Sequence, residues 1–151
     1  MPRGMRGRCI RVRPARWPNE GWAQGTAQKV DAKEFRPGRW KGAATLDKDV
    51  WLSGFPRHDW AYEVTRIDAS GAAGGLELAD KPVFGFTERF RFAILHSCAD
   101  LDEPGEWHRD QTSGRVAVWP RPGGGGALEA SVAPSLVVMN GARHVRIEGL
   151  T

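Results

Sequence analysis

The segment Val50-Trp51-Leu52-Ser53-Gly54-Phe55-Pro56-Arg57-His58-Asp59-Trp60-Ala61 sets a His–Asp pair among tryptophans. An imidazole beside a carboxylate can work as a general base, and a flat indole matches the apolar face of a sugar ring. His58 and Asp59 between Trp51 and Trp60 would then form a base held against a sugar-stacking platform. A packing reading competes and is the stronger of the two. Tryptophans in a strand that runs into a turn usually fill a core, and adjacent residues of a strand point to opposite faces. A lone pair without further partners makes no active site.

The acidic stretch Asp100-Leu101-Asp102-Glu103, followed by Pro104-Gly105-Glu106, has neither the ligand spacing nor the central glycine of a calcium-binding EF-hand loop, and reads as a solvated turn between strands. Cys9 and Cys98 stand apart without metal-ligand spacing and read as two unpaired thiols. No G-x-S-x-G, H-E-x-x-H, paired C-x-x-C or P-loop occurs. The sequence therefore offers no catalytic constellation, no metal site and no cofactor motif. Its candidates are substrate-contacting only: Trp51, His58, Asp59, Trp60 and, further on, Trp107.

The elements that must position these residues are strands. Gly 19 and Pro 10 interrupt nearly every window of the 151 residues, so few segments are long enough for a helix of three turns. Period-2 alternation marks Val50–Phe55, Tyr62–Asp68, Gly75–Leu78, Arg89–Leu95, Arg115–Trp119, Leu128–Val132, Leu136–Met139 and His144–Ile147. Ser70-Gly71, Asp80-Lys81-Pro82, Pro104-Gly105, Ser113-Gly114 and Asn140-Gly141 supply turns between them. Phe86 to Glu103 admits two periods: Phe86, Phe90, Ile94 and Cys98 recur every four residues, Phe90, Phe92 and Ile94 every two. The phenylalanine cluster favours a strand over the first half, with a short helical turn within His96 to Leu101. Many short strands predict an all-β fold, a sandwich, a barrel or a solenoid, with the accessory domain sandwich-like or barrel-like. Leu, Ile, Val and Phe number 30, close to the floor of about 20% at which a core becomes doubtful, and seven tryptophans offset the shortfall.

Charge is concentrated at one end. Residues 1–16 hold six arginines and no acid, whereas the rest carries 16 basic and 18 acidic side chains. The net +4 thus belongs to a basic N-terminal segment, expected to be partly disordered, ahead of a mildly acidic body. A basic arm can contact phosphates, but no basic patch interleaved with aromatics accompanies it, so nucleic acid is not favoured as a partner. No run approaches the ~18 apolar residues of a membrane span. The first residues lack the apolar core of a signal peptide, which leaves the compartment of this chain unassigned.

Three segments, taken in order, carry a resemblance. They are Ala15-Arg16-Trp17-Pro18-Asn19-Glu20-Gly21-Trp22, then Val50 to Ala61, then Leu101 to Pro120 with its Pro104-Gly105-Glu106-Trp107 block; Ser135 to Thr151 follows them. Together they resemble the N-terminal half of right-handed parallel β-helix proteins of the pectate-lyase-like superfamily. Where that pattern carries tyrosines, this chain has His108 and Ala117, and Pro56-Arg57-His58 replaces an aromatic run. The resemblance implies glycoside hydrolases or polysaccharide lyases in which a β-sandwich-like domain precedes the solenoid. It further implies a polysaccharide or oligosaccharide partner, missing C-terminal coils, and a periplasmic or extracellular place for the full-length family.

The expected organisation is accordingly a basic segment at 1–16, a β-rich accessory domain at 17–122, a glycine linker at 123–126, and at 127–151 the first coil of a truncated right-handed parallel β-helix. Leu136, Val138, Val145 and Ile147 would point into that coil, with Asn140-Gly141 as a bend, although Asn-Gly also suits a hairpin. Without a following coil such a segment would expose apolar side chains and strand edges, so residues 135–151 are expected to promote self-association. The chain alone is expected to be inactive, as the N-terminal fragment of a carbohydrate-active enzyme or as a stand-alone carbohydrate-binding or structural β module.

Overall fold

The phenylalanine alternation resolves as a strand. The computed structural model describes residues 11–42, 46–71, 74–123, 128–130, 134–135 and 137–149, and its regular elements are β. In chain order they are β1 (Arg13–Pro14), β2 (Arg16–Trp17), β3 (Ala23–Thr26), β4 (Glu34–Phe35), β5 (Trp51–Phe55), β6 (Glu63–Ser70), β7 (Leu76–Leu78), β8 (Arg89–Leu95), β9 (Glu106–Arg109) and β10 (Val116–Val118). One 3-10 turn, Cys98–Asp100, lies between β8 and β9, inside the expected helical stretch.

The ladders run in a circuit. β3 pairs β8, β8 pairs β5, β5 pairs β6, β6 pairs β7 and β7 pairs β4, every pair antiparallel. The residue after β4 then returns to β3: Thr26 and Arg36 exchange N–H···O bonds of 3.1 and 2.8 Å. β6 makes the corner. Its first half pairs β5 and its second half pairs β7, with a bulge between Ile67 and Ala69, and bulges bend strands in this way. The single Thr26–Arg36 bridge brings the two ends of the strand path together, so of the expected architectures this is the barrel-like one.

The barrel is filled by Phe35, Trp40, Val50, Leu52, Ile67, Leu76, Leu78, Phe86, Phe90, Phe92 and Ile94, all buried. The Phe35 ring lies 5.5 Å from Phe92 and 5.7 Å from Phe90, both edge-on, and 6.2 Å from Phe86. Each such side chain contributes roughly 1.5 to 3 kcal/mol through burial. Two glycines let the strands approach. A Cβ on Gly54 would sit 2.3 Å from the Arg91 carbonyl oxygen, and one on Gly25 would sit 2.7 Å from the Phe90 ring.

A smaller sheet, in the order β1-β9-β10, packs beside the barrel, with β1 parallel to β9 and β10 antiparallel to it. Residues 13–17 stitch the two sheets. β1 lies along β9 and β2 along the end of β8; between them the fully buried Ala15 donates to Trp107 O (2.8 Å) and accepts from His96 N–H (2.7 Å). The segment expected as a basic arm is therefore folded in from Arg13 onward, because its backbone groups complete both sheets; residues 1–10 lie outside the described set.

The C-terminal expectation meets a different outcome. Among the described residues beyond Gly123 there is no strand, so Leu128–Ala130, Val137–Met139 and His144–Ile147 form neither a coil nor a hairpin ladder. Leu136, 131–133, 150–151 and most of the glycine run fall outside the described residues. Val137, Val138, Met139, Val145 and Ile147 are exposed, in keeping with strand-like sequence that lacks a neighbouring strand to pair with.

Candidate functional site

β5 and β8 are antiparallel, with Trp51 opposite Leu95 and Phe55 opposite Arg91. The residues after β5 therefore meet the start of β8 at one end of the ladder, and the residues before β5 meet the residues after β8 at the other. Each end gathers a distinct group of side chains.

The first end is aromatic. His58-Asp59-Trp60 sits in the turn that follows β5 rather than in a strand, since Pro56 ends the ladder. The turn changes the expected geometry. His58 lies flat on Trp60, with ring centroids 5.1 Å apart and planes 8° apart, and Phe84 stands edge-on to both at 5.6 and 5.2 Å. Asp59 turns elsewhere: its Oδ1 accepts from Arg91 Nη2 (2.8 Å) and Nε (3.2 Å). His58 is thus stacked on an indole while the neighbouring carboxylate is held by a guanidinium, an arrangement that suits contact better than proton transfer. Arg91 also lies over the Phe55 ring at 4.8 Å. Phe55, Arg57, His58, Asp59, Trp60, Thr87, Arg89 and Arg91 line an open cleft of about 420 Å³. Trp60 is 72% exposed and forms its outer wall.

The second end is a polar network. His96 has φ of 65°, a left-handed conformation that is uncommon outside glycine and that collects at functional or over-determined positions. Its ring is fully engaged: Nδ1 lies 3.1 Å from both Asp49 O and Asp49 Oδ2, and Nε2 accepts from Arg109 N–H (3.2 Å). His108, also buried, donates from Nδ1 to His96 O (3.0 Å). Asp49 accepts from Trp51 Nε1 (2.8 Å) and Gln111 Nε2 (2.9 Å). Partial burial pushes the Asp49 carboxyl upward, but these bonds and the nearby His96 and Arg109 outweigh it and hold the group below the usual carboxylate range. Asp47 Oδ2 accepts from Cys98 N–H (2.9 Å), and the Cys98 thiol is free and exposed. A cleft of about 240 Å³ lies over Asp47, Asp49, His108, Arg109 and Gln111.

The five sequence candidates are thereby divided. His58, Asp59 and Trp60 share the aromatic end. Trp51 and Trp107 lie at the polar end, half-buried, Trp51 bonded to Asp49 and Trp107 edge-on to His96 at 4.9 Å. They form no common surface with Trp60. The acidic stretch is only partly solvated: Asp100 is buried and accepts from Trp40 Nε1 (2.8 Å), and burial raises its carboxyl above the usual range. Glu106, fully buried, accepts from Asp102 and Glu103 N–H (both 3.3 Å) and lies 3.2 Å from Arg13.

The cluster of Asp47, Asp49, His96, Cys98 and His108 was not visible from spacing, because three separate segments supply it. One signal was available: β9 alternates Glu106, Trp107, His108, Arg109, and the inward positions are the polar Glu106 and His108. Polar residues at inward strand positions need partners, and the partners are the site.

The fold and its two ends define an all-β, barrel-like domain, and no helix among the described residues is long and apolar enough to cross a membrane. No family model, curated protein or solved structure matches the chain.

Proposed function

We propose that this chain is a non-catalytic, glycan-contacting β module, the accessory part of a β-helix glycoside hydrolase or polysaccharide lyase that acts on complex polysaccharides. The observation that carries the binding role is the exposed Trp60 with His58 stacked on it and Phe84 bracing both. A flat aromatic face at the wall of an open cleft suits the apolar face of a sugar ring, and Asp59, Arg57, Arg89 and Arg91 supply hydrogen-bonding groups at its sides. The three arginines favour acidic glycans such as pectins and alginates. The sequence resemblance described above supplies the enzyme context.

The test is affinity electrophoresis of the chain through gels containing pectin, alginate or neutral polysaccharides. Retardation by an acidic glycan, abolished in Trp60→Ala and kept in Trp51→Phe, supports the reading. Equal mobility in every gel, or equal retardation of Trp60→Ala and the parent, sinks it. The non-catalytic part is checked separately: release of reducing ends or unsaturated products by the chain alone would overturn it.

A further inference from the structure

We infer that Asp47, Cys98 and His108 form a three-ligand site for a zinc-class divalent cation at the polar end of the β5–β8 ladder. One carboxylate oxygen of Asp47, the Cys98 sulfur and one ring nitrogen of His108 all lie within 4.8 Å of one another. Thiolate, imidazole and carboxylate together are a donor set for zinc rather than for calcium or magnesium, which take oxygen.

The His108 ring is prepared for this role. A carbonyl oxygen only accepts, so the 3.0 Å bond to His96 O places a proton on Nδ1 and leaves Nε2 as the ligating nitrogen. Metal-bound histidines are held in this way, the second ring nitrogen donating to a carbonyl or carboxylate. His108 is only 4% exposed, yet Nε2 makes no hydrogen bond, and Asp47 Oδ2 lies 3.9 Å from it. Nε2 opens onto the cleft that His108 lines and faces a carboxylate beyond bonding distance, a ring nitrogen free to take a ligand. His96 cannot take its place, because both of its ring nitrogens are engaged.

The other two ligands are positioned by each other. The Cys98 N–H holds the Asp47 carboxylate, which places the thiol of the same residue beside it. Zinc bonds of about 2.0 to 2.3 Å set tetrahedral donors roughly 3.3 to 3.8 Å apart. The 3.9 Å between His108 and Asp47 is already close to that, and the exposed Cys98 side chain can close the remainder by rotation. Lys48 and Arg109 line the same cleft, against three carboxylates, those of Asp47, Asp49 and Asp110. The fourth position faces this cleft and would take water, the open pattern of three protein ligands and one exchangeable one. The site is independent of the glycan-contacting end.

Cobalt(II) serves as the probe, titrated into a chain carrying Cys9→Ser so that a single thiol reports. The expected result is a one-to-one complex with a thiolate-to-cobalt charge-transfer band in the near ultraviolet, bleached by added zinc. Cys98→Ser should lose the band, and Asp47→Asn, whose amide oxygen can still accept from Cys98 N–H, should bind cobalt at least about 10- to 100-fold more weakly. Both side chains lie at the surface of the site, so neither variant removes core packing. Absence of a complex at millimolar cobalt, a band that survives Cys98→Ser, or unchanged affinity in Asp47→Asn would each overturn the assignment.

Discussion

The two ends of the β5–β8 ladder differ in how they are held. At the polar end His96, His108, Asp49 and Glu106 are fixed by hydrogen bonds drawn from four segments of the chain, with buried rings and few free polar atoms. At the aromatic end one turn presents Trp60 and His58 toward solvent, braced by Phe84, by the Arg91–Asp59 pair and by backbone bonds from Ala61 N–H to His58 O and from Thr87 N–H to Pro56 O. One end ties the barrel to the small sheet; the other offers a surface. Stability and recognition are therefore expected to respond to different substitutions.

The largest effect should come from the ladder that both ends share. Phe92→Ala removes a fully buried ring that packs on Phe35 and Phe90, and should cost about 3 to 5 kcal/mol. Urea unfolding reads the loss, and glycan and cobalt binding should disappear together at denaturant concentrations that leave the parent folded. If one end kept its binding where the other lost it, the two would not share a scaffold.

Asp49→Ala should come next. It strips the acceptor from the half-buried Trp51 Nε1 and from beside the buried His96, and leaving such groups unpaired costs about 1 to 3 kcal/mol. The native Asp49 carboxyl sits below its unfolded value, so its contribution is present above about pH 4 and is lost as pH falls through the folded value. Urea midpoints should therefore drop in acid more steeply for the parent than for the variant. Parallel midpoint curves would show that Asp49 is not the group that titrates.

Asp100 gives the opposite sign. Burial raises its carboxyl, so the folded state holds the proton more tightly and stability falls as pH rises from about 4 through the raised folded value. Asp100→Asn keeps an oxygen for Trp40 Nε1 and removes the buried charge, so its midpoint should equal or exceed that of the parent at pH 7 and lose this dependence. A variant clearly weaker at neutral pH would mean that the carboxylate itself is needed.

Trp60→Ala should be the mildest for folding, within about 0.5 kcal/mol, since the side chain is largely in solvent. Acrylamide or iodide quenching should nonetheless lose its most accessible tryptophan component. Quenching unchanged by the substitution would place the exposed indole elsewhere and remove the contrast between the ends.

Much of the barrel was legible in the sequence. The Phe90-Phe92-Ile94 alternation and the Trp51–Phe55 run became the two central strands, because period 2 over five or more residues reports a face directly. β1, β2 and β4 span two residues each, too few to show any period, and β3 has only Ala23 and Gly25 facing inward. At the C-terminus Val137–Met139 and Val145–Ile147 have strand composition without a strand, since propensity acts only where a partner lies alongside. The aromatic end was visible because one turn carries it whole. The polar end was hidden because its acids, Asp49 and Asp47, stand 47 and 51 residues before the His96 imidazole and the Cys98 N–H they contact, and meet them only when the barrel forms.

The stitch made by residues 13–17 has a consequence for the order of events during synthesis. Arg13 reaches Glu103, 90 residues further along the chain, and β1 and β2 have no strand partners before β8 and β9. At roughly 5 to 20 residues per second, the first-made strands wait on the order of 5 to 18 s for the last ones. In that interval the Ala15 backbone and the Trp17 ring lack the partners they find later on Trp107, His96 and Phe92, so the barrel and the small sheet can be joined only once β9 has been made.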